Sequence, residues 1–193
     1  MDALLKGAER LTPESSKWKK RQPYAPKFMS IICQHLNLDD PFDAAIFACL
    51  TTCFYAAAWV GELTIPRLNT FNIAHHVTLV DLHIENNQNG TEVTVLHIPR
   101  TNTAPIEGKD IFWSCQHSPT DPYTALENHR CINNPSNSDH LFAYHHLQPL
   151  TKTALIKRIA LAARSGGLEP LQGHGIQIGA TLFYLLLVFP WKP

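Results

Sequence analysis

The chain has 193 residues, zero formal net charge and 45% hydrophobic side chains, which suits one domain, or one domain with a tail, built on its own core. Charged residues make up only 17%, so Asn, Gln, His, Ser and Thr must carry much of the surface. The apolar stretch near the C-terminus, Leu185 to Phe189, is far too short to span a bilayer, and Met1-Asp2-Ala3-Leu4-Leu5-Lys6 has no signal-peptide core.

The zero charge conceals an asymmetry. Residues 1–30 hold seven basic side chains (Lys6, Arg10, Lys17, Lys19, Lys20, Arg21, Lys27) against Asp2, Glu9 and Glu14, and the remainder is acidic by the same margin. A basic arm suits a polyanion, and it equally suits a solvated linker. Residues 1–26 read as that linker, punctuated by Thr12-Pro13, Gln22-Pro23 and Ala25-Pro26, with Trp18 inside the run Lys17-Trp18-Lys19-Lys20-Arg21. Trp18 is a candidate for stacking on a base or simply an exposed linker side chain.

A short helix is expected over about 27–36. Asp40 then caps a second helix, Pro41 fits its first turn, and apolar residues on all sides carry it to Ala58 as a buried central element. Cys49 and Cys53 on that helix read as small buried hydrophobes. The period changes to two from Val77. Asn86 to Gly90 is a turn, and Thr91 to Ile98 is a returning strand, which predicts a hairpin over 77–98 with a short third strand at 111–113. The sequon Asn89-Gly90-Thr91 is part of that turn. Asp121-Pro122 opens a helix to about Cys131, residues 133–138 form a loop, and Leu150-Thr151 starts a helix that stops at Gly166-Gly167. Gly173-His174-Gly175 leads into a last helix over roughly 176–188. The fold class is mainly α with a small antiparallel β-sheet.

Three segments in this order carry a resemblance. Phe54 to Thr64, with Trp59-Val60-Gly61-Glu62-Leu63, resembles the first motif of tyrosine recombinases, the phage-integrase-type DNA breaking–rejoining enzymes, and is closest to integrase-like domains of fungal mobile elements. Leu96 to Thr103 resembles their β-hairpin motif, and Gln172 to Thr181 their His-x-x-Arg motif. The resemblance implies an integrase-like catalytic domain over 27–193, incomplete at its C-terminal end, and a role in DNA recombination or integration. Such chemistry needs two arginines to clamp the charge growing on the phosphate, a lysine to protonate the leaving oxygen and a tyrosine to attack.

The chain departs from that pattern. Trp59 and Gln177 stand where the arginines belong. Asn102 is the best match for the lysine, with Lys109 close by. His174 is retained as a vestige, either a phosphate contact or a structural helix-start residue. No match to the nucleophilic tyrosine follows, and Tyr184, two turns beyond Gln177, is expected in the core. Glu62 is expected to face solvent. The resemblance with these losses predicts a catalytically inactive protein that at most binds DNA weakly and without sequence preference, through Lys17, Lys19, Lys20 and Arg21. The alternatives are a non-functional fragment of a mobile-element gene and a domesticated protein-interaction module. No cofactor is expected. Among eleven histidines, His83 and His97 are placed to face each other across the hairpin, but no metal-ligand spacing is present, so they read as surface residues without a metal. Five cysteines without a secretory signal predict reduced thiols and a nuclear or cytoplasmic location.

Overall fold

A computed structural model describes residues 23–86 and 88–188. The basic arm residues Lys17, Trp18, Lys19, Lys20 and Arg21 lie outside them. Among the described residues the order is α1 (Pro26–Gln34), α2 (Pro41–Tyr55), α3 (Val60–Leu63), β1 (Leu82–Asn86), β2 (Glu92–Ile98), β3 (Lys109–Trp113), α4 (Pro122–Asn133), α5 (Lys152–Ser165) and α6 (His174–Val188). The expected fold class, helices around a small antiparallel sheet, is what the chain adopts.

Helix α2 is the axis of the molecule. Asp40 caps it, its carboxylate accepting from the N–H groups of Phe42 (3.0 Å) and Asp43 (3.1 Å). Every residue from Asp43 to Tyr55 is buried, because α4, α5, α6 and β3 all pack on it. One charge is buried with it. The Asp43 carboxylate accepts two 2.6 Å hydrogen bonds from the Arg158 guanidinium of α5 and one of 2.8 Å from the Asn37 N–H. That pairing satisfies a group whose burial alone would be costly.

The helix does not reach Ala58. It ends at Tyr55, and Ala57 takes a left-handed conformation (φ 50°) that turns the chain into α3. Three successive alanines look like uninterrupted helix in the sequence, so this break is imposed by packing and not by propensity.

The expected strand from Val77 also starts late. The Asp81 carboxylate accepts from the Thr78 N–H (2.7 Å) and hydroxyl (2.8 Å), winding residues 79–81 into a 3-10 turn before β1 begins. Val77 and Thr78 instead meet the segment near His140: the Leu141 N–H donates to the Val77 carbonyl at 2.9 Å. The sheet is antiparallel in the order β1-β2-β3, and β3 starts at Lys109, two residues before the expected third strand. In this register His83 sits opposite Val95, and His97 sits opposite Asp110. The two histidines therefore do not face each other: His83 bonds Glu85 (3.0 Å) and His97 bonds Asp110 (2.7 Å).

Two glycines permit close approaches that place α6 and the hairpin. A Cβ on Gly179 would lie 2.1 Å from the Tyr24 carbonyl oxygen, so its absence lets α6 press on the chain entering α1. Gly108 (φ 68°) brings the long β2–β3 connection back onto Ile98 and sets Lys109 opposite it.

Candidate nucleic-acid cleft

A cleft of about 680 Å³ opens where α3, the β2–β3 hairpin, α5 and α6 meet. Each wall has a local cause. Trp59 is the residue before α3; its N–H donates to the Glu62 carboxylate at 2.9 Å, which closes the first turn. Glu62 thus does not simply face solvent. In the hairpin connection, buried Thr101 holds a tight loop: its hydroxyl accepts from the Ala104 N–H at 2.9 Å and its own N–H donates to the Ala104 carbonyl at 3.2 Å. Asn102 and Thr103 are presented at the tip of that loop. Lys152 comes from the first turn of α5, where the Thr151 hydroxyl caps the Ala154 N–H at 3.1 Å.

Trp59, Asn102 and Gln177 all line this cleft. His174 is not on its wall; its ring lies flat on Trp59, with centroids 5.0 Å apart and planes 16° apart, so it backs the tryptophan. The fold thus gathers into one region residues that the sequence spreads from Trp59 to Gln177.

The cleft also holds cations. Arg100, Lys109 and Lys152 line it, together with His75, His76 and, as its one carboxylate, Glu62. No hydrogen bond or ion pair among the described residues engages the side chains of Arg100, Lys109 or Lys152, nor those of Asn102 and Gln177. A mildly acidic body therefore gathers unpaired positive charge at one concavity, and a cleft lined by one sign of charge focuses its field. Lys109 is the lysine that the sequence already places close to the hairpin motif. Arg100 lies within the matched segment Leu96 to Thr103, whereas Lys152 carries no local signal, and only the tertiary fold brings it to the other two.

No tyrosine lines the cleft among the described residues. Tyr184 is half-buried, and its hydroxyl donates to the Tyr55 carbonyl at 2.6 Å, tying α6 to the end of α2. Burial, and then the neighbouring Tyr55, raise its pKa, which opposes formation of a phenolate. No group of three metal-ligating side chains occurs among the described residues, and no helix there is long and apolar enough to cross a membrane.

No family model matches the chain, and no curated protein matches it. A solved structure, FLP Recombinase-Holliday Junction Complex I, shares the fold with a TM-score of 0.53 at 10% identity. The match covers 100% of this chain and 48% of that one, so the chain spans about half the length of the recombinase. The likeness is one of fold, and the fold is tyrosine-recombinase-like.

Proposed function

We propose that the chain binds DNA through its cationic cleft and does not itself break or rejoin strands. One observation carries this: Arg100, Lys109 and Lys152, unpaired and drawn from separate segments, share one concavity of a recombinase-like fold. Phosphates displacing counterions from such a surface supply affinity without reading sequence, so binding is weak and general. The basic residues Lys17, Lys19, Lys20 and Arg21 add to it. The recombinase of similar fold is in complex with a Holliday junction, which supports DNA as the polyanion. Five free cysteines suit the reducing nucleus or cytosol, where such a partner is met.

The absence of cleavage follows from what faces the cleft. Trp59 and Gln177 bring no positive charge to the positions where the motifs call for arginine. Loss of one preorganised donor costs on the order of a hundred- to a thousand-fold in rate. The test pairs two assays on the full chain. Fluorescence anisotropy with a 20-base-pair duplex should give binding at 50 mM salt that is largely lost at 200 mM. Supercoiled plasmid under the same conditions should remain unnicked. Salt-insensitive binding or a covalent protein–DNA adduct would overturn the proposal.

A second reading, a protein-interaction module, draws on α6. Its last turn leaves Leu186, Leu187 and Val188 57%, 64% and 68% exposed. Sedimentation at increasing concentration addresses it: a single monomeric mass throughout would remove self-association from consideration.

A further inference from the structure

We infer that the cleft accommodates an unpaired nucleotide, stacked on Trp59, in preference to the backbone of intact duplex. The inference rests on the cleft being the DNA-binding site and goes on to name the form of nucleic acid it takes.

A tryptophan that only fills space is buried; Trp59 is 47% exposed and forms part of the cleft wall. His174 stacks on it with ring centroids 5.0 Å apart and does not itself line the cleft, so one side of the indole is already supported by a ring. An indole held in this way is a ready platform for a planar base. A duplex cannot use it, because its bases are already stacked on each other and only their edges and phosphates reach the surface.

The rest of the wall fits the same occupant. Asn102 and Gln177 offer side-chain amides with no partner among the described residues, and each can both donate to and accept from the Watson–Crick edge of a base. Arg100, Lys109 and Lys152 supply charge for the phosphate. A volume of about 680 Å³ lies within the usual range for sites that enclose a small ligand. The two amides can serve a phosphate as well as a base edge, so it is the stacked indole that a cleft built only for phosphates would not use.

The required nucleotide chemistry can come from a free nucleotide or from a single strand, and the test separates them. Full-length wild type, Trp59→Ala, Trp59→Phe and Lys109→Ala would be titrated with oligo(dT) of 12 nucleotides, a 12-base-pair duplex and dTMP, using anisotropy for the oligonucleotides and indole fluorescence for dTMP. The single strand should bind about tenfold tighter than the duplex. Trp59→Ala should weaken the single strand by about tenfold while changing duplex binding less than twofold, and Trp59→Phe should recover most of the loss. Lys109→Ala should weaken both. If only a strand is required, dTMP binding should be far weaker than oligo(dT) and quenching should vanish in Trp59→Ala; dTMP binding as tightly as oligo(dT) would identify a free nucleotide as the occupant. Because Trp59 is half exposed, circular dichroism should show Trp59→Ala folded, and Trp59→Phe provides the same comparison with an aromatic retained. Equal loss on duplex and single strand, or no loss on either, would overturn the inference while leaving the DNA-binding reading intact. No binding of any DNA would overturn that reading itself, and this inference with it.

Discussion

His129 and His140 are both fully buried, and burial is the leading cause that holds both neutral, although their hydrogen bonding differs. His129 donates from Nε2 to the Leu141 carbonyl (2.9 Å) and accepts at Nδ1 from the Asn133 amide (2.9 Å), so the neutral ring is fully bonded. Burial lowers its pKa to about 4. His140 accepts at Nδ1 from the Phe142 N–H at 3.2 Å, but its Nε2 has no partner among the described residues, and burial followed by the neighbouring His76 and His129 lowers its pKa to about 3. Since an unfolded histidine titrates near 6.5, the unfolded chain holds more protons than the folded one at any pH between about 4 and 6.5. Stability should therefore be complete above about pH 7 and fall as the pH drops through 6.5 toward 4, with His129 alone accounting for roughly 3 kcal/mol. Urea midpoints measured from pH 7.5 to 4.5 should decline steadily below 6.5; a flat profile would mean that these rings are not buried neutral. Also at this scale, motif spacing marks Trp59, Asn102, His174 and Gln177, and the fold brings Trp59, Asn102 and Gln177 to one cleft. What motif spacing could not convey was that His174 serves the tryptophan rather than the cleft wall, a relation visible only when the two rings are seen stacked.

Helix α2 began where Asp40-Pro41 said it would, because capping and proline placement are local physics. Its end was not legible, because Ala56, Ala57 and Ala58 all favour helix and the left-handed turn at Ala57 is set by where α3 must go. That turn is a strained position for a residue with a Cβ, at about 1 kcal/mol or more. Ala57→Gly should relieve it and raise the melting temperature by a few degrees, partly offset by the greater freedom of glycine in the unfolded chain. A lowered melting temperature would count against the left-handed assignment. The hairpin was legible in its return strand and not in its entry, since the Thr78–Asp81 bonds that replace strand with turn compete with an equally plausible alternation of side chains. Between elements, the Arg158–Asp43 pair ties α5 to α2. Arg158→Ala would leave the buried carboxylate with the Asn37 N–H alone, and should cost about 3 kcal/mol, or roughly 6–12 °C in melting temperature. A change under 2 °C would show the pair to be dispensable.

At the scale of the whole molecule, charge distribution matters more than total charge. The basic excess in residues 1–30 is contiguous in the chain and is the simplest part of that distribution to read. The second concentration, Arg100, Lys109 and Lys152, is spread across more than fifty residues of a net acidic segment and becomes a site only when the hairpin and α5 meet beside α3 and α6. The fold class was accessible because hydrophobic period and turn chemistry are local. The cationic wall was not, because it is a product of topology. The most direct measurement is the salt dependence of duplex affinity for wild type and for an Arg100→Ala/Lys109→Ala/Lys152→Ala variant, both as full chains. If the cleft holds the DNA, the variant should bind more weakly at 50 mM salt, and the slope of log affinity against log salt should be shallower by about 2 to 3, close to one for each phosphate that is no longer neutralised. An unchanged slope and affinity, with both proteins folded, would place the DNA elsewhere and contradict the assignment of this cleft.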